Sequence, residues 1–150
     1  MGLLTLFILI SFTAPIALSD SNPSAYEVIQ EYDFPVGILP KGVTSYDLNR
    51  DTGEFSAYIN KTCSFSVDSY ELEYSSTITG VISKDRINNL KGVKVKVILL
   101  WLNIVELVRD GNDLRFSVGI ASADFSINNF AECPQCGCGF DCNDFLLSSS

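Results

Sequence analysis

The stretch from Val93 to Val108, Val-Lys-Val-Lys-Val-Ile-Leu-Leu-Trp-Leu-Asn-Ile-Val-Glu-Leu-Val, constrains the fold more than any other part of the chain. Val93, Val95, Val97, Leu99 and Trp101 fall on one face of an extended backbone and Lys94 and Lys96 on the other, which is the two-residue period of a strand. From Ile98 onward both faces are apolar, so the stretch predicts one long strand, half-solvated at its start and covered on both faces farther along. Such a strand belongs inside a curved or closed sheet, or beneath a helix or a second sheet. Arg109-Asp110-Gly111-Asn112-Asp113 then supplies turn chemistry, and Leu114, Phe116, Val118 and Ile120 resume the alternation as the second arm of a hairpin.

Strand and turn signals fill most of the remaining chain. Val43 to Leu48 and Glu54 to Ile59 read as strands joined by a turn at Asn49 to Gly53, and a second turn at Asn60-Lys61 follows. Cys63, Phe65 and Val67 alternate, as do Tyr70, Leu72 and Tyr74 with Glu71 and Glu73 towards water, and Thr77 to Ser83 reads as a further short strand. Ser83 to Leu90 reads as a helical turn with Ser83 as cap and Gly92 as stop. Near the start, Asn22-Pro23 offers a cap and first turn, and Ala25, Val28, Ile29 and Tyr32 share one helical face. Residues 33–42 set two prolines and two glycines around Phe34, Val36, Ile38 and Leu39, a fixed loop with an apolar lining. Ala121 to Phe130 brings Phe125, Ile127 and Phe130 to the sheet or its rim. Seven or eight strands without βαβ alternation or internal repeat predict a mainly β domain. The form is an antiparallel barrel or a two-sheet sandwich, with one short N-terminal amphipathic helix against it.

The chain of 150 residues, 47% of them hydrophobic, has room for one domain, expected over residues 20–142. Residues 1–19 read as a secretory signal peptide: Leu3 to Ile10 is nearly all apolar, Pro15 breaks it, and Ala17-Leu18-Ser19 offers small residues for cleavage before Asp20. The run is shorter than the ~20 residues of a bilayer span, so no stable membrane span is expected after cleavage. The closing residues 143–150, ending Ser148-Ser149-Ser150, read as a disordered tail. A formal net charge of −8 excludes a nucleic-acid partner, which needs excess Lys and Arg on some face. The densest basic group, Lys84, Arg86, Lys91, Lys94 and Lys96, is interrupted by Asp85 and reads as a charged sheet edge that guards against further pairing.

The chain has no histidine, which removes Ser-His-Asp and Cys-His catalysis together with the commonest metal ligand. No Gly-x-Ser-x-Gly elbow occurs, and Gly137-Cys138-Gly139 lacks the third glycine of a dinucleotide loop, so no cofactor is expected. Glu106, set in an apolar run, is the one candidate general acid, with an ion pair or exposure at a strand end as the competing explanations. Cys133, Cys136, Cys138 and Cys142 crowd into ten residues and Cys63 stands on a strand. Four thiolates can chelate zinc, but a secretory leader favours disulfides and no metal, with bridges from the tail to Cys63 and between more distant tail residues. Two bridges leave one of the five cysteines over. Asn60-Lys61-Thr62 is an N-glycosylation acceptor in a turn. The aromatic residues are first of all core. Some of them can instead line a cavity for one apolar small molecule, and the residues expected to bind it are Phe34 and Leu39 at the mouth with Trp101 and Asn103 on the wall.

Three blocks together resemble a known family. Tyr26-Glu27-Val28-Ile29-Gln30-Glu31-Tyr32-Asp33-Phe34-Pro35-Val36-Gly37-Ile38-Leu39-Pro40, then Asn89-Leu90-Lys91-Gly92-Val93-Lys94-Val95, then Cys136-Gly137-Cys138-Gly139-Phe140-Asp141-Cys142 are similar, in that order, to the plant family called domain of unknown function 538. The likeness runs from about Pro23 to Cys142, and Cys133 stands outside the family's usual ending. It implies a compact β-barrel-like fold with a flanking helix, export to the apoplast and a link to stress responses. Members have been likened to lipid-binding bactericidal/permeability-increasing proteins and proposed to hydrolyse chlorophyll, but the family supplies no catalytic residue to carry over. Three functions follow as expectations: a secreted binding module for a lipid or pigment, an esterase-like hydrolase on such molecules, or an apoplast or cell-wall interaction protein with no small ligand.

Overall fold

A computed structural model describes residues 22–140 and Cys142; the leader at residues 1–19 and the tail at 143–150 lie outside the described residues. The chain opens with helix α1 (Ala25–Glu31), which buries Ala25, Val28 and Ile29 against the sheet. Its cap is Ser24 rather than Asn22, because Ser24-Ala25-Tyr26-Glu27 is a capping box and the Ser24 hydroxyl accepts from the Glu27 N–H at 3.2 Å. A 3-10 turn, Val36–Ile38, follows. Then come nine strands: β1 (Val43–Leu48), β2 (Glu54–Ile59), β3 (Cys63–Val67), β4 (Tyr70–Ser83), β5 (Arg86–Val97), β6 (Leu100–Asn103), β7 (Glu106–Asp110), β8 (Asp113–Ser117) and β9 (Ser122–Ser126). All pairings are antiparallel, in the order β1-β2-β4-β5-β7-β8-β9, with β3 also on β4 and β6 also on β5.

The fold is therefore mainly β, and of the two forms expected it is the sandwich-like one. The terminal strands β1 and β9 do not pair with each other, so no ring of hydrogen bonds closes a barrel. Instead the sheet folds over until β3 and β4 face β8 and β9, where Tyr70 and Phe125 meet edge-to-face at 5.8 Å.

The long hairpin β4–β5 is the spine, and it bends in the middle. Register shifts fall between Tyr74 and Thr79 and between Thr79 and Val81, opposite Asn89 and Gly92, both at positive φ. A Cβ on Gly92 would lie 2.5 Å from the Thr77 carbonyl oxygen, so only glycine fits this bulge. The bulges explain two departures from the sequence reading. Thr77 to Ser83 is the far half of one 14-residue strand, not a separate one, and Ser83 to Leu90 is a hairpin entering β5, not a helical turn. Gly92 marks a bulge instead of a helix stop.

The central stretch is likewise not one strand. Ile98-Leu99 is a two-residue turn, so residues 93–108 supply the end of β5, all of β6 and the start of β7. The turn shifts the parity of the face. Trp101 comes to lie opposite Lys96 on the outer side, while Leu102 lies opposite Val95 on the inner side. Ile98, Leu99 and Leu100 are 89%, 82% and 66% exposed, so the covering on both faces inferred from their apolarity is absent at this turn.

The core runs from Ile29 and Phe34 through Ile59, Phe65, Tyr74, Ile78 and Ile82 to Ile87, Val93, Leu107, Leu114 and Phe130. After β9, a 3-10 turn (Ile127–Phe130) leads into the cysteine-rich segment. That segment straps the first loop in place: the Lys41 N–H donates to the Pro134 carbonyl at 2.8 Å, and Gly37 packs so closely that a Cβ would sit 2.3 Å from the Phe130 carbonyl oxygen. Disulfides join Cys63 to Cys136 and Cys138 to Cys142, leaving Cys133 free. The first bridge, with the Gly137 N–H donating to the Ser64 carbonyl, lays the segment along the free edge of β3 and blocks further pairing there.

Candidate binding site

The inward alternation of the spine divides at the bend. On one side of it Tyr74, Ile78 and Ile82 of β4 and Ile87, Leu90 and Val93 of β5 surround a cavity of about 70 Å3 under α1 and Leu39. On the other side Leu72 of β4 and Val95 and Val97 of β5 face Phe116, Val118, Ala121, Ala123 and Phe125, and the space between them is a cleft of about 220 Å3. Val67, Tyr70, Ser122, Ile104 and Phe130 complete its lining, which is almost wholly apolar.

The cleft persists because β9 contributes small side chains where β8 contributes large ones. Phe116 pairs with Ala123 across the β8–β9 ladder, and Ala121 follows two residues before on the same face. Aromatic contacts hold the wall in shape: Phe116 meets Phe125 at 5.6 Å and Phe130 at 5.5 Å. No single lining residue is unusual in sequence, and each reads as core. The signal that points to the cleft is the alternation Ala121, Ala123, Phe125 on a strand whose partner bears Phe116, since small residues opposite large ones leave room only where no third layer fills it.

The four residues expected to bind an apolar molecule are not gathered in one place. Phe34 is buried in the core, and Leu39 lines the smaller cavity under α1. Trp101 and Asn103 lie on β6, Trp101 on the outer face with its ring 6.0 Å from the Lys96 ammonium and Asn103 exposed opposite Lys94. Glu106 sits at the start of β7, half-buried, where it accepts from Arg86 at 2.8 Å. An ion pair thus occupies the carboxylate outside the cleft. On β5 Lys96 pairs with Glu71 at 3.8 Å, and Lys94 lies opposite Glu73 in the register.

Cys133 is half-buried beside the first loop, where its thiol donates to the Val36 carbonyl at 3.4 Å, and burial raises its pKa. Asn60 is exposed between β2 and β3. One polar cluster had no counterpart in the sequence reading. Asp33 and Asp85, far apart in sequence and both at positive φ, hydrogen-bond through their carboxyls where α1 meets the β4–β5 turn. Arg109 clamps the pair by donating to the Asp33 side chain at 3.0 Å and its carbonyl at 2.7 Å. The Asp85 pKa is raised, first by that hydrogen bond and then by desolvation and the Asp33 charge.

Residues 25–131 match the family described as Protein of unknown function, DUF538, which takes in α1, all nine strands, the cavity and the cleft. The chain belongs to the DUF538 family. A curated relative, the Arabidopsis thaliana "Uncharacterized protein At5g01610", is 30% identical over 95 residues, covering 63% of this chain and 55% of the relative. The chain thus spans little more than half that relative's length. The cysteine-rich strap of this DUF538 protein, from Cys133 to Cys142, lies beyond the matched residues, and the Cys63–Cys136 bridge ties it to β3 inside the matched unit.

Proposed function

We propose that this DUF538 protein is a secreted binding module for one apolar or amphipathic small molecule, held in the cleft between β3–β5 and β8–β9. The observation that carries the reading is the cleft, about 220 Å3 of hydrocarbon-lined space that reaches the surface. A dry apolar cavity of ~150 Å3 admits a molecule the size of benzene, and drug-sized ligands occupy ~300 Å3 or more. The volume between those marks suits an acyl chain or a small ring system, so a pigment would be held by its hydrocarbon tail and not by its macrocycle. Tyr70 and Ser122 are the hydroxyl-bearing residues of the lining and give an amphipathic ligand's polar end a partner.

Two disulfides, the leader read in residues 1–19 and the exposed Asn60 acceptor support an extracellular destination. A hydrolase acting on the same molecules needs a carboxylate or thiol against the ligand. Glu106 is taken up by Arg86 and Cys133 faces the first loop, so neither supports that reading. The test is native mass spectrometry of the full chain secreted by a yeast or plant host. A bound acyl-chain or ring compound, lost on Ala123→Phe with the melting temperature unchanged, is the expected result. A mass accounted for by polypeptide and glycan alone would overturn the reading in favour of a surface-interaction protein of the cell wall.

A further inference from the structure

We propose that one end of the sheet docks on a zwitterionic lipid bilayer, with the β5–β6 and β8–β9 turns immersed among the acyl chains. The inference stands on the turns and holds whether or not the cleft takes a ligand.

Six hairpin turns join neighbouring strands among the described residues. Strand register puts three at each end. At one end Asn49 to Gly53, Lys84-Asp85 and Gly111-Asn112 are all polar or glycine. At the other the turns are Asp68-Ser69, Ile98-Leu99 and Gly119-Ile120, closed by Val67 with Tyr70, Val97 with Leu100, and Val118 with Ala121. Residues from all three closing pairs line the cleft, which fixes these turns around one mouth.

A turn facing water selects glycine, asparagine or aspartate, above all at a positive φ. Ile98 has φ 61°, a conformation that β-branched side chains strongly disfavour, and it is 89% exposed. Ile120, next to Gly119 at φ 94°, is 92% exposed. Large aliphatic side chains therefore stand exposed to solvent at two turns of the same end, at Ile98 against the local conformation as well, and at neither of the glycine- or asparagine-bearing turns of the other.

The occupant is read from shape and charge. The tips are convex and separate, so a protein partner would need a matching socket for each, whereas a bilayer needs none. Residues 97–103 and 116–123 carry no charge, and the first charges below them are the pairs Lys96 with Glu71 and Arg115 with Asp124. Those two turns are thus uncharged tips above a neutralised collar, matched to acyl chains beneath zwitterionic headgroups. Asp68 on the third turn and the net charge of −8 disfavour an anionic surface. Trp101, 43% exposed beside Lys96, lies where an interfacial aromatic anchors.

Trp101 is the one tryptophan of the chain and reports directly. The full chain is mixed with phosphatidylcholine vesicles, with and without brominated acyl chains, and followed by cosedimentation and Trp emission. Expected are a blue shift, quenching by the brominated lipid, and binding retained in high salt. The double variant Ile98→Asn/Leu99→Ser relieves the turn and so folds, and should lower partitioning about a hundredfold. Docking should be the same for chain stripped of any copurified small molecule, which separates this result from that of ligand binding. No shift and no cosedimentation of the natural chain would overturn the proposal, as would binding that needs anionic lipid, or tips that instead pair two copies in sedimentation velocity without touching vesicles.

Discussion

The two ends of the β4–β5 spine are built from the same alternation and differ in what covers them. Where the spine meets α1, the strap and the first loop, the inward faces close on a cavity of about 70 Å3, Phe34 is buried, and the turns are polar. Beyond the bulges at Gly92 and Tyr74 to Thr79 no helix arrives, the faces stay apart around about 220 Å3, and two turns carry exposed aliphatic side chains. One end is thus organised for stability and the other holds apolar surface in reserve. The lesson is that a sheet needs only one bend and one missing layer to pass from core to open cleft.

Removing the strap should produce the largest effect, because it closes the covered end. The Cys63–Cys136 bridge spans 73 residues, and the chain-entropy account gives a loop of that length about 4.5 kcal/mol, against about 2 kcal/mol for Cys138–Cys142. Urea melts of Cys63→Ala/Cys136→Ala and of Cys138→Ala/Cys142→Ala should show that order. Equal losses would mean that the strap is not what holds the covered end.

Truncating one aromatic at each end comes next. Phe34→Ala removes a ring buried in the core and should destabilise by about 4 kcal/mol. Phe125→Ala removes a half-exposed ring that borders existing space and should cost about 1 to 2 kcal/mol while enlarging the cleft. Matching losses would show that the open end is as tightly held as the covered one, and the contrast between them would fail.

These contrasts were unevenly visible in the sequence. The helix face, the first two strands and the β7–β8 hairpin follow from periodicity and turn residues, since each obeys local rules. The division of Val93 to Val108 did not follow, because Ile98-Leu99 violates the turn chemistry by which a hairpin is recognised, and an unbroken apolar run is the ordinary signature of a covered strand. The cleft was hidden for a related reason. Its lining residues look like core, and only the absence of a covering layer, a tertiary fact, turns them into a site. Trp101 and Asn103 were placed on the inner wall by a parity that the unseen turn reverses.

That violation gives a smaller and oppositely signed effect. Ile98→Gly frees the turn from a left-handed conformation and should stabilise the chain by about 1 kcal/mol, seen as a higher urea midpoint at unchanged slope. The same change at the polar end has nothing to relieve, since Gly111 already occupies its turn at φ 60°. A loss of stability on Ile98→Gly would mean that the isoleucine packs productively where it stands.

The smallest effect belongs to the polar end, which has a repulsion of its own. Asp85 is held beside Asp33 with its Oδ1 buried and without a partner among the described residues, and its pKa is raised chiefly by the hydrogen bond to Asp33. A carboxyl raised in the folded state binds a proton there more readily than in the unfolded chain. Its stabilising contribution is therefore complete below the ordinary Asp pKa of about 3.9 and lost as pH rises through the raised value. Asp85→Asn keeps a donor towards Asp33, tolerates the φ of 63°, and removes the charge. The variant should melt higher than the natural chain near neutral pH, and the gap should close as the pH falls to about 3. A gap that persists at low pH would trace the gain to local backbone preference instead of charge, and would remove the one electrostatic weakness assigned to the covered end.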